Sequence, residues 1–435
     1  MERTKDARRK NEEAQVRERI ELAYHSALIK DSKEKRNQLT NRTLQEELEN
    51  EFKDKTVNIT PNEDNTQWII SVDNVDVTVE AGITILLKDK NGLKIASTNE
   101  TTPWIPTSNT EITNNDLSKG LTIKDDNENE WVWIEVPKSL ISGANTDEEI
   151  KAALENYLYE QNAKGESTPL ITIGKTSSSN KTTTKGFIDT NHNGTGLTDE
   201  QYSEKYSKML RSIQENGGFY IGKYEVGYED TNHRTKSNKE NTTNIPVIKA
   251  DAYPYNWVTN EQAERLSETL TTGMASTTDE KAGLLFGIQW DLVLKYLSEK
   301  GVLSKSNITS NSQEWGNFKG EFSLNQTTTH GHKGTLSTDS LKTIYWEPIT
   351  SSYTHPDDLD VLSAGATERN GKLNIYDLSG NMFEWTLENT SRETIPCVDR
   401  GGSFSYTGSG TPVSYRDNLS PTASYHDVGF RATLF

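Results

Sequence analysis

The densest run of side chains able to grip another molecule lies between Arg400 and Arg431. Tyr406, Thr407, Ser409, Ser414, Tyr415, Asp417, Asn418, Leu419, Ser424, Tyr425, His426 and Asp427 are interleaved there with residues that backbone geometry would fix: Gly401, Gly402, Ser403, Arg416, Pro421, Gly429, Phe430 and Arg431. Tyrosine offers wide contact area at small entropic cost, and short polar neighbours supply adaptable hydrogen bonds. This is recognition chemistry rather than bond-making chemistry. Tyr406, Ser409, Tyr415, Asp417, Asn418, Tyr425, His426 and Asp427 are the candidate ligand-binding residues. A protein or a glycan suits them better than a small metabolite.

Reactive groups are sparse elsewhere. Cys397 is the only cysteine, so no intramolecular disulfide and no thiol pair for a soft metal can form. A lone cysteine reads as a small buried side chain. His330-Gly331-His332 has the spacing of a metal pair but no evident further ligands, and reads as a solvated loop. Glu225, Asp251 and Asp291 sit beside aromatic runs, and nothing in the sequence pairs them for acid–base work. No Ser-His-Asp pattern, phosphate-cradling loop or nucleotide motif occurs.

The run from Asp189 to Glu200 has the spelling of a calcium loop, with Asp189, Asn191, Asn193, Gly194 and Glu200 in place. The preceding KTTTKGF is not helical in pattern, and Gly196 stands where a β-branched residue or leucine belongs. An Asx-turn-rich loop capping a helix from Glu200 is the better reading.

The positioning elements follow from periodicity. Residues 4–53 read as helix, free of Gly and Pro, with Val16, Ile20, Ala23, Tyr24, Ala27 and Leu28 on one face. Thr43 and Glu46 spell a capping box for a second helix carrying Leu44, Leu48 and Phe52. Thr56–Ile59, Gln67–Ser71, Val75–Glu80 and Thr84–Lys88 read as a small antiparallel meander. Beyond Leu93, strands are expected at Trp131–Val136 and Gly218–Glu225. Helices are expected at Thr146–Asn162, Glu200–Asn216, Asn260–Leu270 and Leu285–Leu297, the last amphipathic. A polar loop is expected over Gly165–Gly186.

Length and charge bound the rest. The chain has 435 residues, enough for two or three domains. Its net charge of −18 argues against nucleic acid and anionic membrane as partners. Trp and Tyr are plentiful enough to build a core. No apolar run of about 18 residues exists to span a membrane, and the start, MERTKDARRKNEE, has no apolar signal segment.

Several motifs taken in order carry a resemblance: GGFYIGKYEVG, the helix around Gln289-Trp290-Asp291, Trp315-Gly316-Asn317, GNMFEWT, RGGSF and GFR. Over roughly residues 100–435 the chain resembles the formylglycine-generating-enzyme (sulfatase-modifying factor) family, a variant of the C-type lectin fold. Enzymes of that family oxidise a substrate cysteine with a copper-binding cysteine pair placed just after the Gly-Gly-Ser turn. Here that stretch is GGSFSYTGSG, with Tyr406 near the first position and Cys397 before the turn. No copper is expected, and the chain is expected not to be an enzyme. The iron-dependent sulfoxide synthase branch needs a histidine cluster on a helical domain, and the N-terminal helices hold only His25. The resemblance also implies a structural Ca²⁺, held by the carboxylates of Asp377 and Glu384 and the carbonyls of Gly380 and Met382, all oxygen donors as Ca²⁺ prefers.

The Tyr/Ser/Asp/Asn/His pattern of 400–431 is similar to the variable region of proteins diversified by diversity-generating retroelements. Separately, one long helix before a small antiparallel sheet resembles a type IV pilin-like protein. In that family a hydrophobic half-helix would precede Met1 and anchor the protein.

The expected architecture is α+β. A pilin-like helix and meander spans 1–92, and a loop-rich C-type-lectin-like domain spans 93–435, with its variable region at 400–431. The expected function is non-catalytic ligand binding at the cell surface or outside the cell, with pilin-like subunits as further partners. The rivals are an oxygen-dependent modifying enzyme and a structural pilus or surface-fibre subunit.

Overall fold

The structure is a computed structural model. It describes residues 16, 19–20, 23–24, 27, 41–61, 67–72, 75–80, 89–107, 109–155, 159–161, 167–169, 174–175, 181–182, 194–272, 274, 282–320, 322–324, 330–350, 353–355, 360–389 and 393–435. The chain divides into two compact units, Met1–Leu87 and Lys88–Phe435, so the division falls before rather than after the turn at Asn91-Gly92.

In the first unit Val16, Arg19, Ile20, Ala23, Tyr24 and Ala27 are helical, and a helix spans Asn41–Glu51. Thr43 therefore lies inside that helix and does not open it. Three antiparallel strands follow, Val57–Pro61, Gln67–Val72 and Val75–Glu80, paired in sequence order. The expected strand Thr84–Lys88 lies outside the described residues. The helical stripe packs as its spacing predicts: Val16, Ile20, Ala23, Tyr24 and Ala27 share a core with Leu44, Leu48, Phe52, Ile70 and Val72. Arg19 closes the edge, pairing with Glu51 at 2.6 Å and lying over the Phe52 ring.

The second unit mixes helices with several small, mostly antiparallel sheets, so the fold is α+β. The largest sheet has six strands in the order Ala282–Leu284, Ala432–Leu434, Gly218–Gly222, Glu130–Glu135, Thr122–Lys124, Glu111–Asn114. The chain's last strand is thus an interior strand of this sheet. Trp131, Val132, Trp133 and Ile134 are all fully buried, so the strand is covered on both faces. Trp133 donates to Thr101 Oγ1 (2.7 Å) and Trp131 to Asp125 (2.8 Å), which satisfies both indole N–H groups.

Helices cover this framework. Thr198 and Gln201 form a reciprocal cap at the start of Asp199–Asn216. Thr259 and Gln262 do the same for Asn260–Thr269. The helix Asp147–Glu155 is shorter than expected, and Tyr159–Gln161 is strand, paired with Ser167–Pro169. The helix Gly287–Glu299 is buried on nearly every side rather than on one face. Its polar residues Gln289 and Asp291 point to partners inside the protein. Gln289 donates to Thr433 Oγ1 at 2.8 Å, and Asp291 accepts from two arginines.

Next to this helix stands a four-stranded sheet, Arg416–Leu419, Cys397–Arg400, Phe383–Asn389, Val428–Phe430. Its last pair is parallel. This sheet and the loops between its strands carry the candidate binding residues. Among the described residues, no helix is long and apolar enough to cross a membrane.

Candidate functional site

The platform starts with two glycines. Gly401 and Gly402 have φ of +93° and +76°, which ordinary residues rarely adopt. A Cβ on Gly402 would stand 2.4 Å from the Thr411 carbonyl oxygen and 2.6 Å from the Phe318 ring. The pair turns the chain out of strand Cys397–Arg400 and presents the loop that holds Tyr406 and Ser409.

Beneath the platform lies a square of four buried charges. Arg400 donates to Asp291 at 2.8 Å and to Glu388 at 3.2 Å. Arg416 donates to Glu388 at 2.6 Å and also to Asp291. Arg400 further caps the Tyr415 and Ser414 carbonyls, at 3.1 and 3.3 Å. All four side chains are at most 2% exposed. Planar guanidinium forks suit such shared carboxylates. They tie strands Arg416–Leu419, Cys397–Arg400 and Phe383–Asn389 to helix Gly287–Glu299.

The backbone of the surface loops is fixed in the same way. The Lys319 N–H donates to the Tyr406 carbonyl (2.8 Å), and the Trp257 N–H to that of Tyr425 (3.0 Å). Asn256 Nδ2 donates to the His426 carbonyl (2.9 Å), and the Phe383 N–H to that of Asp427 (2.9 Å).

The side chains divide into two groups. Tyr406 and Tyr425 are 49% and 45% exposed, and Ser409 is exposed as well. Tyr415, Asp417 and His426 are half-buried. Asn418 and Asp427 are buried, against the expectation that they face a ligand directly. Asn418 lies opposite Val398 on the ladder face that also carries the Arg400–Arg416 pair. Asp427 accepts a hydrogen bond from Ser403 at 3.0 Å and leads into strand Val428–Phe430.

Sequence reading missed Asp399, which is 1% exposed and lies opposite Asp417 in the ladder. Burial, then Asp417 and Asp427, push its carboxyl well above the usual carboxylate range. The signal was present as Asp-Arg at 399–400 against Arg-Asp at 416–417, but it has meaning only once the register is known. The Tyr406 phenol is also raised, first by burial, then by Asp427, Asp417, Asp399 and Tyr425. His426 is lowered by burial and contacts the rings of Trp257 and Phe404.

The expected calcium residues surround the tight turn at Gly380-Asn381, both with positive φ. Asp377 accepts from the Gly365 N–H (2.6 Å) and from Asn370 Nδ2 (2.9 Å). Glu384 forms a two-pronged pair with Arg431, at 2.7 and 3.0 Å. Met382 packs with Leu336, Ile344, Val361 and Phe404. Asn381 is hydrogen-bonded to Glu225, Leu362 and Asn317. As arranged, this donor set does not suit Ca²⁺. The guanidinium of Arg431 already occupies both oxygens of Glu384, and Asp377 is engaged by N–H donors. Among the described residues, no three His, Cys, Asp or Glu side chains converge as a metal site. Asp189–Asn193, the opening of the other candidate calcium loop, lie outside the described residues.

The remaining reactive groups are tied into structure. Cys397 is buried, and burial followed by Asp399 pushes its thiol up to about 12, the reverse of what a nucleophile or metal ligand needs. Asp251 accepts from Ser363 Oγ (2.8 Å) and pairs with His332 Nδ1 (2.8 Å). Ser363 Oγ thus donates to the same carboxylate oxygen that His332 Nδ1 reaches.

No family model matches the chain, and no curated protein matches it. Among solved structures, "Treponema denticola variable protein 1" is matched weakly, with a TM-score of 0.21 and 12% identity, over 84% of this chain and 97% of that one.

Proposed function

We propose that the Lys88–Phe435 unit is a non-catalytic recognition head whose C-terminal face binds a protein or glycan. One observation carries this reading. The backbone of Tyr406, Tyr425, His426 and Asp427 is pinned by framework hydrogen bonds, while the rings of Tyr406 and Tyr425 stand in solvent. Side chains can change on such a face without moving the chain beneath. That is the property a C-type-lectin-like scaffold needs if its variable residues are diversified by a retroelement. The buried, lone Cys397 supports a binding role over an oxidase, which requires two accessible thiols. Display at the cell surface rests on the pilin-like pattern of the first unit.

The test has two arms. Tyr406→Ala, Ser409→Ala and Tyr425→Ala are combined, and the melting temperature is compared with that of the parent. Both proteins are then labelled and applied to arrays of glycans and of cell-surface proteins. The reading expects an unchanged fold and loss of the signals that the parent gives. An unfolded triple variant would show that the face is packing material, and signals unaffected by the substitutions would place recognition elsewhere.

A further inference from the structure

Asp399 Oδ1 is buried and, among the described residues, accepts no hydrogen bond. The Arg400–Arg416 pair one step along the ladder has two carboxylates for its two charges. The Asp399–Asp417 pair, on the opposite face of the same two strands, has no such counter-ion on Asp399. Asp427 is a further carboxylate acting on Asp399; it accepts from Ser403 at 3.0 Å and has the His426 ring, whose protonation burial disfavours, at 3.8 Å. A buried carboxylate oxygen with no partner costs free energy, and proteins keep such groups where function uses them.

The cluster belongs to the recognition face. Tyr406 lies near enough to Asp399, Asp417 and Asp427 for all three to act on its phenol, and Tyr425 joins the same group. Both rings are about half exposed, and Tyr406 is held edge-on to Phe383 at 5.6 Å. Half-buried Asp417 gives the cluster an opening toward solvent. Acidic oxygens behind exposed aromatic faces are complementary to a flat, delocalised cation, which stacks on the rings and donates to the carboxylates. The chain's net charge of −18 draws such a ligand in.

Building on the recognition reading above, we infer that Asp399 and Asp417, with Tyr406 and Tyr425 beside them, receive the guanidinium of an arginine side chain from a protein ligand. Asp399 ionises as the cation arrives, and the orphaned oxygen gains the partner it lacks in the free protein. A neutral or acidic glycan has no cation to offer and would leave that oxygen without a counter-charge.

The full chain is titrated with N-acetyl-arginine amide and, separately, with the neutral isostere N-acetyl-citrulline amide, following tryptophan fluorescence. Trp257 touches His426, and Trp385 is the ladder neighbour of Asp399, so both can report. The expected result is saturable binding of the arginine probe, at least tenfold tighter than that of citrulline. Asp399→Asn, and independently the half-exposed Asp417→Asn, should each weaken arginine binding at least tenfold while leaving the melting temperature equal or higher. Affinity for arginine should also rise from pH 5 to pH 8. Equal binding of the two probes, no binding of either, or indifference to both substitutions overturns the inference. If arginine preference is absent but the triple alanine variant still folds and loses its array signals, the recognition face stands and only its ligand chemistry is wrong.

Discussion

Asp399 faces Asp417 directly across the antiparallel ladder, one register step from the place where Arg400 faces Arg416. Two like-charged pairs thus stand side by side on opposite faces of one strand pair. Like charges directly opposite destabilise a sheet unless something neutralises them. Asp291 and Glu388 do this for the arginines. For Asp399, neutralisation comes from holding its proton, since its carboxyl lies well above the usual range.

That proton makes the stability of the fold pH-dependent. Below about the ordinary aspartate value of 3.8, Asp399 is protonated both folded and unfolded, and burial of the neutral acid costs little. As pH rises, the unfolded chain releases its proton first and the folded chain retains it. The contribution is fully present at low pH and is lost as pH rises toward the folded-state value. Asp399→Asn removes this dependence. The melting temperature of the variant minus that of the parent should grow from pH 4 to pH 8. Glu225, Asp377 and Glu264 are also raised by burial but are common to both proteins, so they cancel in the difference. A difference independent of pH would mean that Asp399 ionises normally in the fold.

The arginine square should behave in the opposite sense, as an interaction whose partners cannot be spared. Asp291→Ala leaves Arg400 and Arg416, both buried, with Glu388 as the one remaining carboxylate of the square. Removing one member of a buried ion pair typically costs about 3–5 kcal/mol, because the remaining charge is left without compensation. Urea unfolding of the variant should show a loss in that range, with little change in slope. A loss under about 1 kcal/mol would show that water or backbone carbonyls can stand in for Asp291.

Local periodicity made much of the scaffold readable, but not the chemistry of its face. The i, i+4 stripe from Val16 to Ala27 and the unbroken apolar run Trp131–Ile134 each report burial that neighbouring residues decide. The two capping boxes at Thr198 and Thr259 are equally local signals. Tyr159–Gln161 misleads because a helix-compatible sequence is claimed there by a strand partner at Ser167–Pro169. The helix Gly287–Glu299 looked amphipathic because Gln289 and Asp291 are polar, yet both are buried on partners more than a hundred residues away. For the same reason Asp399 and Asn418 could not be sorted into ligand-facing and framework-facing. In a ladder, facing is set by register, and a shift of one residue exchanges the two faces.

The turn at Gly380-Asn381 gives a metal prediction. Glu384 is already held at 2.7 and 3.0 Å by Arg431, and burial sets its carboxyl at about 7. A structural Ca²⁺ would have to displace a guanidinium that is itself 1% exposed and also bonded to the Gly222 and Tyr376 carbonyls. Melting curves with Ca²⁺ and with EDTA should therefore coincide. A tightly bound ion present at about 100 times its Kd would instead stabilise by about 2.7 kcal/mol, a shift that is easily seen. Such a shift would require Arg431 to swing away from Glu384.

The contrast between platform and display can be measured within a few residues of chain. Tyr425 is exposed on a backbone pinned by the Trp257 N–H, so Tyr425→Ala should change stability by no more than about 0.5 kcal/mol. Ser409→Ala should be equally mild. Tyr406→Ala also loses an edge-to-face contact with Phe383, which adds about 0.5–1.5 kcal/mol to its cost. Tyr406→Phe keeps that contact and should be silent. Gly402→Ala, which adds a single methyl group, should be the most damaging. Its φ of +76° strains any side chain, and the new methyl meets the Thr411 carbonyl and the Phe318 ring. Together these terms amount to about 2–5 kcal/mol. Chemical denaturation of the four alanine variants and Tyr406→Phe tests the ordering. If Tyr425→Ala cost as much as Gly402→Ala, the tyrosines would be structural, and the face could not exchange its side chains freely.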